Sequence, residues 1–187
     1  MSGGFSTRRQ MLASAFLLGA GAEIGEALQH AHQAVRQGFA VQSLPPEMAK
    51  EVEALVCQII PSGDGPGARE TGVIHFIDRA LGTFAADQKD LYLRSMGEVQ
   101  EVRRKMFPES ASIAGLTEAQ QIALVQAIEK TPFFGALRTH TVMGFLGSPE
   151  YGGNQGGAGW AHIGFEDKMA FDPPFGAYDA AAERGGQ

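Results

Sequence analysis

Apolar residues in the middle of this chain recur at helical spacing, and period-two alternation is absent over any useful length, so helices must supply its core. After Pro45-Pro46, residues Met48, Val52, Leu55, Val56, Ile59 and Ile60 fall at spacings of four, three, one, three and one, a single stripe on one helix. Pro61 ends it, because proline lacks the N–H and clashes with the preceding turn. From Glu70 onward Val73, Ile74, Ile77, Leu81 and Phe84 repeat the stripe. Asp87 to Met106 is a longer, more solvated helix with Tyr92, Met96, Val99, Arg103 and Met106 on one face. Thr117 followed three residues later by Gln120 is a capping box that opens a helix through Ile128. Thr131-Pro132 restarts the chain into a last helix, Phe133 to Phe145, ended by Gly147-Ser148-Pro149. The expected fold class is mostly α. A small helical domain at 45–166 carries a Gly-rich C-terminal loop, with a linker around Phe39 to Leu44 before it and an extended tail at 167–187 after it.

Composition narrows the function. The chain has 187 residues, enough for one domain with a real core. Its net charge of −6 argues against a nucleic-acid partner, since phosphate binding needs a cationic face. The one cysteine, Cys57, excludes an internal disulfide framework and any all-cysteine metal site; near Val56 on the apolar stripe it reads as a buried, inert thiol. The five histidines, His30, His32, His75, His140 and His162, are scattered and do not form a metal-ligand pattern. His140 lies on the last helix near the Gly-rich loop and is a candidate for an interface or partner-site role. No Rossmann fingerprint, haem-attachment motif or nucleophile elbow is present, so an independent redox enzyme has no place for its cofactor.

The N-terminus has the pattern of an export signal, segment 1–38. Arg8-Arg9 directly precedes an apolar run from Met11 to Ala22, about 12 residues long, inside the range of a signal peptide and short of a bilayer span. The adjacent arginines are the twin-arginine address, read by the system that exports folded proteins. No clean A-x-A cleavage site follows Ala22.

Two loops carry the specific information. The first runs from Ile60-Pro61 through Ser62-Gly63-Asp64-Gly65-Pro66-Gly67 to Asp78, a tight helix-loop-helix corner in which glycines permit positive φ and Asp64 can accept neighbouring backbone N–H groups. The second is Glu150-Tyr151-Gly152-Gly153-Asn154 through Gly159-Trp160, closing with Ile163-Gly164-Phe165. So many glycines would be entropically costly unless the loop packs, and Tyr151, Trp160 and Phe165 around it suggest an ordered loop docked on a partner. A phosphate cradle is disfavoured, because the loop follows a helix rather than a strand and no G-K-[ST] occurs. Glu150 and Asp64 are lone carboxylates beside glycines, a setting that orders turns more often than it performs acid-base chemistry.

Together these two segments resemble the gluconate 2-dehydrogenase subunit 3 family, over about residues 45 to 166, and the twin-arginine leader fits the same family. The resemblance implies a non-catalytic small subunit of a periplasmic FAD-dependent dehydrogenase acting on a sugar, polyol or glycoside. It implies no catalytic residue, cofactor or metal in this chain. FAD would sit in a large flavoprotein subunit of the glucose-methanol-choline type, and electrons would leave through a cytochrome c subunit. The small subunit would escort the large one through the twin-arginine translocase, with Arg8 and Arg9 as the address. Glu150, Tyr151, Gly152, Gly153, Asn154, Gly159, Trp160 and Phe165 are then the expected partner interface. Two alternatives stand beside it: an independent small periplasmic domain that binds a ligand or acts as an enzyme through the Gly-rich loop, and an escort that has stopped escorting, its leader retained as an ordinary helix inside a cytoplasmic complex.

Overall fold

A computed structural model describes residues 41–170. Arg8, Arg9, His30, His32 and the tail beyond Ala170 lie outside the described residues.

Among these residues six α-helices are joined by turns and three short 3-10 segments, with no strand. They are α1 (Pro46–Ile59), α2 (Val73–Gly82), α3 (Lys89–Met106), α4 (Glu118–Ile128), α5 (Pro132–Leu146) and α6 (Ala158–His162). Helices α1, α2 and α5 pack on one another, while α4 packs on α1 and α3. No helix among them is long and apolar enough to cross a membrane.

The core follows the expected stripes. Val52, Leu55 and Val56 of α1, Val73, Ile77 and Leu81 of α2, Tyr92, Met96 and Val99 of α3, and Leu124, Phe133 and Leu137 share one buried cluster, in which the Tyr92 ring meets that of Phe133 edge-on at 5.2 Å. Each such aliphatic or aromatic side chain contributes about 1.5–3 kcal/mol on burial. Helix starts behave as their chemistry dictates. Pro46 and Pro132 occupy first turns, where no N–H bond is lost, and Thr117 and Gln120 form the reciprocal capping box. Arg103 is buried on α3, donating to Gln100 Oε1 at 3.0 Å and to the Ser110 carbonyl. Glu51 of α1 accepts the N–H groups of Ile113 and Ala114, at 2.6 and 3.0 Å, and so ties the α3–α4 connection to the body.

Six expectations are corrected. Helix α2 stops at Gly82, because Thr83 leaves helical geometry at φ −132° and ψ −107°; Phe84 falls off the stripe and is 61% exposed. Met106 ends α3 on the outside, not on its buried face. The segment before α1 is held in place over its described part: the buried Asp78 carboxylate accepts the N–H groups of Gln42, Ser43 and Leu44 at 2.7–2.8 Å. In the first loop Glu70, not Asp64, orders the turn, accepting from Ser62 Oγ at 2.6 Å and Gly67 N–H at 2.8 Å. Of the glycines in that corner only Gly72 has positive φ, at 67°. The helical turn α6 falls inside what the sequence presents as loop.

Candidate functional site

The two loops meet. The Gln155 N–H donates to the Thr71 carbonyl at 3.0 Å, and the Gln155 side chain fills the space where Gly72 has no Cβ. Thr71 is fully buried, its hydroxyl donating to the Gly67 carbonyl at 2.8 Å. His162, at the end of α6, covers Gly65 in the first loop and lies edge-on to Phe145 of α5 at 6.5 Å.

Asn154 locks the second loop from inside. It is wholly buried and left-handed at φ 44°, a conformation that asparagine tolerates better than most residues. Its Nδ2 donates to the Gly147 carbonyl at the end of α5, at 2.9 Å, and its Oδ1 accepts the Gly159 N–H of α6 at 2.8 Å. The glycines beside it allow close approach. A Cβ on Gly153 would stand 2.2 Å from the Gly144 carbonyl oxygen, and one on Gly159 would stand 2.1 Å from that of Phe145. Gly144 in turn lets α5 press on Phe76 of α2. The glycine run is thus a backbone-on-backbone seam against α5.

The eight residues expected at an interface therefore divide. Gly152, Gly153, Asn154 and Gly159 face the chain's own core. Glu150, Tyr151 and Phe165 are exposed and Trp160 is half-buried. Glu150 is placed through its main chain, whose carbonyl accepts from Arg79 Nη1 at 2.6 Å. Trp160 is aimed by a hydrogen bond from Nε1 to the Leu146 carbonyl at 2.6 Å, and its ring lies 5.1 Å from that of Phe165.

His140 is not at this surface. It is buried between α3 and α5, its Nδ1 2.9 Å from the Tyr92 hydroxyl and its ring stacked on the tyrosine. Burial pushes the His140 imidazole below its ordinary pKa, and pushes the Tyr92 phenol up, so both favour their neutral forms and share one hydrogen bond. His75, half-buried on α2, is lowered for the same reason. Glu70 is held below the usual carboxylate range by the Ser62 hydroxyl and the loop N–H groups. Cys57 is half-buried rather than buried; burial raises its thiol, and Arg69 partly opposes this.

A cleft of about 330 Å³ opens beside the loop, lined by Gln42, Ser43, His75, Asp78, Arg79 and Gly152. Its carboxylate and guanidinium are already engaged, Asp78 by three backbone N–H groups and Arg79 by Glu150. Part of the Gly-rich loop's backbone is engaged as well. Its N–H groups at Gln155, Gly157 and Gly159 bond Thr71, Asn154 O and Asn154 Oδ1. Among the described residues no His, Cys, Asp and Glu side chains gather in threes to hold a metal ion.

Sequence motifs point to Asn154 and the glycines but not to Thr71, Asp78 or the outer face of α5. Val142, Met143 and Leu146 on that face are each 37–43% exposed. The available signal was that α5 carries more apolar residues than one buried face requires, although Arg138 and Thr139 are exposed on it as well.

The family model described as gluconate 2-dehydrogenase subunit 3 matches residues 46–167, from the start of α1 to just past Phe165. No curated protein and no solved structure matches the chain.

Proposed function

The chain belongs to the gluconate 2-dehydrogenase subunit 3 family, a subunit of a dehydrogenase complex, and we propose that it is the non-catalytic small subunit of an FAD-dependent one. In this role it stabilises a large catalytic flavoprotein of the glucose-methanol-choline type, which oxidises a sugar, polyol or glycoside and passes electrons to a cytochrome c subunit. Arg8 and Arg9 address the assembled pair to the twin-arginine translocase, so both chains reach the periplasm folded and loaded with flavin.

The single observation that favours this role over a ligand-binding domain is the construction of the Gly-rich loop. Gly152, Gly153, Gly159 and the buried Asn154 are used up in internal contacts, while Glu150, Tyr151 and Phe165 are turned outward around a half-buried Trp160. A loop anchored in this way lowers the ordering cost of docking a protein surface.

The test is co-expression of the tagged chain with a neighbouring large-subunit gene, followed by pull-down and absorption. A stoichiometric complex with flavin bands near ~450 nm is expected. Arg8→Lys with Arg9→Lys should then keep both chains in the cytoplasm together. A colourless monomer that ignores the large chain overturns the proposal.

A further inference from the structure

The Gly-rich loop holds helix α2 at both ends. At its start the Gln155 N–H bonds the Thr71 carbonyl and the Gln155 side chain fills the space over Gly72; toward its end Arg79 Nη1 donates to the Glu150 carbonyl. Ten residues do not make a helix that is stable alone in water, so the placing of α2 depends on these holds as well as on its buried stripe.

The strap before α1 hangs from the same helix. Asp78 Oδ1 accepts the Ser43 and Leu44 N–H groups and Oδ2 accepts that of Gln42, so both carboxylate oxygens are spent on three successive amides. Ser43 Oγ also fills the space beside Gly82 that a Cβ would take. His75, Asp78, Arg79 and Gly82 fall at i, i+3, i+4 and i+7, one stripe of α2. That stripe lines the cleft of about 330 Å³, together with Gln42 and Ser43 of the strap and Gly152 of the loop. Strap and loop are thus held by consecutive residues on one helix face, and the strap is the described end of the segment that carries Arg8 and Arg9.

We propose that the strap and the Gly-rich loop are coupled through Asp78 and Arg79: a grip on the outer edge of the loop holds the strap closed, and release of the strap loosens the loop. The Arg79–Glu150 bond is exposed, so in the free chain it opens readily. A protein surface that covers Glu150 takes water away from this charge-assisted bond and strengthens it. Such a partner favours the closed form, which is what shifts the equilibrium. In the complex the strap, the point from which the leader departs, is then fixed. This sensing of a partner rests on the role proposed above, while the coupling itself belongs to the free chain.

The experiment is residue-resolved hydrogen exchange on the full chain, free and bound to the large subunit. Asn154→Gly, which opens the loop without touching Asp78, should speed exchange at residues 42–44 by roughly five-fold or more. Thr117→Ala, which removes the α4 cap instead, should leave those amides unchanged. Because coupling is mutual, Asp78→Ala should speed Gln155 and Gly157 by a similar factor. Binding of the large subunit should slow residues 42–44 in the wild type, and less so in Arg79→Ala. Unchanged strap amides in a folded Asn154→Gly chain whose loop amides have sped up overturn the coupling, as does equal acceleration by Thr117→Ala. If Asn154→Gly is unfolded by circular dichroism, or leaves the loop protected, Arg79→Ala decides: faster strap exchange restored by Arg79→Lys supports the coupling, and unchanged exchange overturns it. A bound large subunit that leaves residues 42–44 unaffected overturns the sensing. Failure to bind any large subunit removes the subunit role, and the free-chain rates still decide the coupling.

Discussion

Asn154 and Gly159 are joined by a hydrogen bond that closes the Gly-rich loop: the wholly buried Oδ1 accepts the Gly159 N–H at 2.8 Å, while Nδ2 holds the Gly147 carbonyl. One side chain thereby ties the end of α5 to the start of α6. Asn154→Ala should cost about 2–4 kcal/mol, because it orphans a buried donor and an acceptor and leaves an alanine in a left-handed conformation. Asn154→Gly should cost less, since glycine keeps the dihedral. Urea denaturation of the three proteins gives the order; equal stability of alanine and glycine variants would show that the dihedral carries no strain.

Close approach rather than turn geometry explains Gly153. Gly153→Ala places a methyl 2.2 Å from the backbone oxygen of Gly144, which cannot move without moving α5. A loss of about 2 kcal/mol or more is expected, with faster proteolysis within residues 150–160. Gly156→Ala meets nothing and has only its φ of 66° against it, a cost of about 1 kcal/mol. Gly63→Ala, with open space and no positive φ, should be neutral. If the Gly153 and Gly63 variants melt together, the seam against α5 is not tight.

Asp78 is the anchor of the segment leading into α1. Asp78→Ala removes the acceptor for three successive N–H groups, two of them only partly buried, and should cost about 2–4 kcal/mol. Hydrogen exchange provides the local check: amides of residues 42–44 should lose their protection far more than those of α4. Uniform loss across the domain would mean that the anchor is not local.

The Tyr92–His140 pair makes stability depend on pH. A histidine whose folded pKa lies below its ordinary 6.5 binds protons better when unfolded, so its contribution is complete above about 6.5 and is lost as pH falls from there toward the lowered folded value. His75 contributes in the same direction. Denaturant midpoints at pH 7.5, 6.5 and 5.5 should fall in that order for the wild type. His140→Gln lacks the titrating group, and its slope over this window should be shallower. An unchanged slope would place the titration elsewhere.

Local chemistry was legible wherever it acts within a turn or two of helix. The stripes of α1 and α2, the prolines at 46 and 132, and the Thr117–Gln120 box all express period, dihedral or capping rules that a sequence displays directly. The same rules misplace Phe84, because a stripe says which residues can share a face, not where the backbone turns away.

What the sequence by itself determined is the helical class, the core-facing residues, the existence of an ordered Gly-rich loop and the family. Only the tertiary structure decided what the loop packs on and which carboxylate does which work. Asp78 reaches across 34–36 residues to the chain before α1, and Gln155 bonds Thr71 over 84 positions of sequence. The glycines at 153 and 159 are needed because α5 passes there at backbone distance. Such contacts depend on how separate helices dock, a relation that no local pattern encodes.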